Sequence, residues 1–198
     1  MFYITDAKPA GYVNNSISSD WEAWIGCCLP EGLHTKVRSH LISNLKHLLV
    51  ALELKAGLIV PHAERGSGPS ILFEPYFQLL IFEFCVGAFS ICEGLGSALW
   101  LRENKRDGAA SNRIRHDEWL PSLARKFDPC GDLSLSGDVN RVRGVRDKLH
   151  QDRLGARENI DWHAFSYADA FTPALRAMRH LLQTNSQDVP PQTNLKIQ

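Results

Sequence analysis

The stretch from Leu72 to Leu101 carries Phe73, Phe77, Leu80, Phe84, Phe89 and Leu95 among many smaller apolar residues, and only Glu74, Glu83 and Glu93 are charged. Drawn as one helix it is about 45 Å long. It is apolar almost all round, and a helix without a polar face has to be enclosed on every side. A bilayer or a ring of other helices can do that. Glu83 stands in the middle of the run, and the longest uncharged piece, Phe84 to Cys92, is far short of the roughly 20 residues a membrane span needs. The expectation is a buried central helix and no membrane partner.

The rest of the chain supplies amphipathic candidates to surround it. After Pro30, which suits a first helical turn, Leu33, Val37, Leu41, Leu45, Leu48 and Leu52 recur every three to four residues and predict a helix ending near Gly57. Residues 61–70, PHAERGSGPS, read as a loop and 102–112, RENKRDGAASN, as a polar connector. Asn112 is then expected to cap a helix through Phe127, and Asp138 to cap one running through about His150. A last helix covers roughly His163 to Gln183, in which Pro173 marks either a kink or a late start. Residues 1–29 read as an arm, with Ser19 or Asp20 capping a short segment that carries Trp21, Trp24 and Ile25. The polar tail 186–198, with two prolines, is expected to be disordered. No repeat and no strand alternation emerges. The predicted architecture is an all-α bundle of four or five helices, one domain over residues 1–185 with the bundle proper in 30–185.

Composition narrows the function. With 22 Lys and Arg against 22 Asp and Glu, the chain is not a polycationic binder as a whole. The charge is unevenly placed: residues 102–157 hold 13 basic and 9 acidic side chains, and 141–157 hold 6 against 2. A local excess of that kind steers polyanions even on a neutral protein. Five cysteines, odd in number and without a C-x-x-C pair, write neither a disulfide framework nor a zinc ribbon. The opening residues, with Asp6 and Pro9, lack the pattern of a secretory leader, so a reducing cytoplasm is the expected location.

The chemistry concentrates in the segment DVNRVRGVRDKLH, residues 138–150. On a helix of about 100° per residue, Arg146, His150 and Asp147 all fall within roughly 60° of Arg143, while Val142, Val145 and Leu149 gather on another face that can dock on the central helix. Two guanidinium forks suit phosphate oxygens, an imidazole passes protons near neutrality, and an aspartate orients either group. Such a set can cleave RNA without a metal: a base activates the ribose 2′-hydroxyl, the arginines stabilise charge on the phosphate, and an acid protonates the leaving oxygen. Arg141, Lys148 and Arg153 extend the basic surface as RNA-binding candidates. His116, Asp117 and Glu118 are adjacent and do not converge on one metal by spacing; no metal and no cofactor is expected. Glu93, beside Gly94 and Gly96, either marks a close helix approach or contacts an arginine of the 138–150 helix.

This segment, after a long apolar helix and before a last amphipathic one, resembles the signature helix of the HEPN superfamily (higher eukaryotes and prokaryotes nucleotide-binding domains), whose motif is an arginine followed after four to six residues by a histidine. Arg143 and His150 enclose six residues and satisfy that spacing. The resemblance implies a metal-independent endoribonuclease, a toxin or defence component, working as a homodimer with its Arg and His site where the two motif helices meet. It also implies a cognate antitoxin or nucleotidyltransferase as partner. Composition alone yields about two such spacings by chance, and Arg157 with His163 is a second one here. The chain departs from the family pattern in having Gly144 directly after Arg143, while Arg146, with its acidic follower, stands only four positions before His150. Either Arg143 is the motif arginine and Arg146 an auxiliary, or the motif is degenerate and the chain is a non-catalytic module that binds a nucleotide, RNA or a protein.

Overall fold

The computed structural model describes residues 15–59, 61, 74–109, 113–132, 134–147, 162–184 and 195. Within them the chain forms six α-helices and no strand: α1 Asn15–Cys28, α2 Thr35–Leu58, α3 Glu74–Glu103, α4 His116–Phe127, α5 Leu135–Asp147 and α6 Thr172–Thr184. The expected all-α bundle with a long apolar helix at its centre is what the chain adopts.

Helix α3 is long and apolar enough, on length and composition, to cross a membrane. In the bundle its sides are occupied by α2, α4, α5 and α6. Phe84, Cys85, Ile91, Cys92 and Leu95 are buried in one continuous core with Leu49 and Leu52 of α2, Leu123 and Phe127 of α4, Val139 and Val142 of α5, and Leu175 and Met178 of α6. Close approach is set by glycines. Gly87 faces Leu52 of α2, and Gly96 faces Trp119 of α4 so tightly that a Cβ there would lie 2.6 Å from the indole ring and 2.9 Å from the Trp119 carbonyl oxygen. Glu83, the charge in mid-helix, reaches outward to Lys55 at 3.3 Å. Burial pushes the thiols of Cys85 and Cys92 up to about 12, which removes them as nucleophiles.

Several helix starts differ from those the sequence predicts. Helix α2 begins at Thr35, with the His34 ring accepting from the Lys36 amide at 3.3 Å, and Pro30 lies in the preceding turn. That turn is held by Arg38, which donates to the carbonyls of Gly26 at 2.6 Å and Pro30 at 3.2 Å and so satisfies the end of α1. Ser19 and Asp20 fall inside α1 and do not cap it. Helix α4 starts at His116, where the Glu118 carboxylate accepts from the Arg115 amide at 2.7 Å; Asn112, the expected cap, lies outside the described residues. Helix α5 starts a turn before Asp138. The Leu135 amide donates to Asp128 at 3.0 Å, which leaves Asp138 free to turn inward. There its side chain, 3% exposed, takes both forks of Arg176 from α6 at 2.6 and 2.9 Å.

The last helix makes the late start. A short tight turn, Trp162–Ala164, and a wide π turn, Tyr167–Phe171, precede α6, and Pro173 sits in its first turn, where no amide hydrogen is needed. In the tail expected to be disordered, Leu195 is fully buried against the core.

Candidate functional site

The N-terminal end of α4, the middle of α3 and the last two turns of α5 enclose an open cleft of about 440 Å³. Phe89 and Glu93 come from α3, Arg113 and Ile114 from the segment entering α4, Arg115, His116 and Asp117 from the start of α4, and Arg143 and Arg146 from α5. That volume lies within the range of small-ligand sites. Four guanidinium groups meet the carboxylates of Glu93 and Asp117, so the lining carries a positive excess.

Local structure explains each placement. Val139, Val142 and Val145 bury one face of α5 against the core, and Arg143 and Arg146 emerge beside it toward the cleft. Asp147 ties the two arginines together. It accepts from Arg146 at 2.7 and 3.0 Å and lies 3.4 Å from Arg143 Nε. Arg146 is half-buried, its Cζ 4.4 Å from the centroid of the Phe89 ring. A cation over an aromatic face gains attraction there and is held in one place. Arg115 is engaged beside them by Asp117 at 2.8 and 3.1 Å.

His116 belongs to the same cluster. Its ring stacks on Phe89, centroids 6.0 Å apart and planes 11° apart, and meets Trp119 edge-to-face at 4.8 Å. Nε2 is buried with no hydrogen-bond partner among the described residues. Burial, and then the positive charge of Arg143 and Arg146, hold the imidazole below its ordinary pKa, against the smaller opposing pull of Asp117 and Asp147. A neutral histidine beside two arginines can accept a proton at neutral pH.

Of the residues the sequence singled out, Arg143 and Arg146 line this cleft and Asp147 pairs with both of them. Arg141 is exposed on α5 and does not line it. Lys148, His150 and Arg153 lie outside the described residues, as does the end of the helix expected to reach His150. Glu93 lines the cleft, and no ion pair joins it to an arginine among the described residues. His40 and His47 are exposed on α2. Trp119 is buried under the cleft and Trp100 half-buried beneath Arg106, 5.3 Å from the ring centroid. Among the described residues no three His, Cys, Asp or Glu side chains gather as a metal site requires.

The residue that sequence reasoning missed is His116. The available signal was a histidine at a helix start between arginines 113 and 115 and a motif helix to come, but spacing along the chain cannot show that α4 begins where α5 ends in space.

Compared with protein-family models, curated proteins and solved structures, the chain matches none.

Proposed function

We propose that this protein is a metal-independent, HEPN-like endoribonuclease whose cleft seats the scissile phosphate. The observation that carries the reading is the convergence of Arg143 and Arg146 with a histidine on one open, positively charged cleft. Paired forks are suited to two phosphate oxygens and to the extra charge they gain as phosphorus becomes five-coordinate. Asp147 orients the forks, and His150, assigned by the resemblance, serves in proton transfer. The buried docking of α5 on the long apolar helix supports the likeness in layout. The proposal extends to a homodimer across the motif helix and to a toxin or defence role with a cognate antitoxin or nucleotidyltransferase.

A second reading, a non-catalytic RNA- or nucleotide-binding module, is favoured by one departure, Gly144 in place of a polar residue after Arg143. Incubation with total RNA in EDTA separates the two. The nuclease reading expects fragments ending in 2′,3′-cyclic phosphate, lost in Arg143→Ala and His150→Ala. An intact RNA pool that is nevertheless retained, more weakly by Arg143→Ala and with reduced salt dependence, means the binding module. A protein that neither cleaves nor retains RNA refutes both readings.

A further inference from the structure

Resting on the nuclease reading, we infer that His116 is the general base of the cleft, taking the ribose 2′-hydroxyl proton while Arg143 and Arg146 hold the phosphate. Neither the motif nor the resemblance assigns this residue. Three observations place it in that role.

The first is position. His116 lines the same cleft as the two arginines, although it comes from α4 and they come from α5, so one chain brings base and phosphate clamp together. The second is fixation. Stacking on Phe89 and the edge contact with Trp119 lock the ring from two sides, and Phe89 also carries Arg146. Base and clamp thus share one rigid support, as a catalytic geometry requires. The third is the state of the ring. Nε2 is buried with no hydrogen-bond partner among the described residues. The charged groups around it are Arg143, Arg146 and Asp147 on α5, Asp117 on α4, Arg113 and Arg115 just before α4 and Glu93 on α3. Burial and the two α5 arginines outweigh the aspartates and keep the free imidazole neutral, ready to accept. A phosphate on those arginines offsets their charge, which favours the imidazolium once the proton has been taken.

The step balances. The 2′-O–H bond breaks and its proton passes to the unprotonated ring nitrogen of His116; the 2′-oxygen bonds to phosphorus as the bond from phosphorus to the 5′-oxygen breaks; the leaving 5′-oxygen takes a proton from His150 or water. His116 then releases its proton to solvent. The products are a 2′,3′-cyclic phosphate and a 5′-hydroxyl.

The test uses the full chain with a short RNA and, for binding alone, the same sequence with 2′-deoxy at the cleavage position. His116→Phe keeps the ring contacts and removes the proton site; His116→Asn is the second variant, and circular dichroism confirms that each folds. Removing a general base costs on the order of 100-fold or more in cleavage rate. The expected result is that loss in both variants, loss of the acid limb of the pH–rate profile in any residual activity, and affinity for the deoxy analogue within about threefold of wild type, as for a residue outside the phosphate clamp. Wild-type cleavage that persists at full rate in His116→Phe overturns the assignment and leaves the nuclease reading intact. A wild-type protein that binds both oligonucleotides and cleaves neither overturns both.

Discussion

Replacing Gly96 by alanine tests the packing that brings α4, and with it His116, to the cleft. The added Cβ would sit 2.6 Å from Trp119 Cε3 and 2.9 Å from the Trp119 carbonyl oxygen. Ordinary carbon contacts are about 3.5–4.0 Å, so α3 and α4 must separate by roughly 1 Å or distort. One obstacle is backbone and the other a fully buried ring, so neither can swing aside. Overpacking of this kind costs about 2–3 kcal/mol, against which alanine in a helix interior returns about 1 kcal/mol over glycine. The net loss, about 1–2 kcal/mol, corresponds to a fall in Tm of about 2–8 °C for a chain of this length. Gly144→Ala is the matched control: it lies exposed on α5 with nothing within 4 Å of its Cβ, so only the helix preference acts. Its Tm should rise, by about 2–4 °C. Thermal unfolding followed by far-UV circular dichroism reads both. A Gly96→Ala protein as stable as wild type would refute the close contact and the route by which α4 is positioned.

Arg176→Ala leaves the Asp138 carboxylate buried without its partner, and should destabilise by about 2–3 kcal/mol in urea unfolding, more than Asp138→Ala, which leaves an arginine side chain already 47% exposed to be solvated by water; equal costs would mean that the burial of Asp138 contributes nothing. The pH dependence of stability has a defined sign at His116. Its folded pKa is lowered, so between that value and the ordinary value near 6.5 the unfolded chain binds more protons, and stability falls as pH drops through that window and is flat above it. His116→Phe should flatten the acid side of a plot of Tm against pH, and an unchanged slope would show that the imidazole titrates as it does in the unfolded chain.

The helical class and its central element were legible because a run as apolar as Leu72 to Leu101 admits few environments, and three-to-four periodicity marks faces directly. The docking face of α5 was legible for the same reason: Val142 and Val145 repeat on one side, and their burial leaves Arg143 and Arg146 beside it. Helix starts were not. Asp138 has the chemistry of a cap, yet a carboxylate seven residues before Leu135 supplies that hydrogen bond, and Asp138 is drawn to an arginine 38 residues later. No local pattern encodes either partner. The site was half legible for a related reason. Arg143, Arg146 and Asp147 lie on one helix and their convergence follows from its pitch, whereas His116 joins them only through the packing of Trp119 into the space that Gly96 leaves.

Asp147 holds two arginines with one carboxylate, and the arithmetic of that arrangement sets what a visiting anion meets. The two guanidinium groups carry one positive charge more than Asp147 offsets, so on the proposed function a phosphate is attracted without this ion pair having to break first. On the proposed function, the two guanidinium groups are spaced before any phosphate arrives, by a carboxylate that they already share.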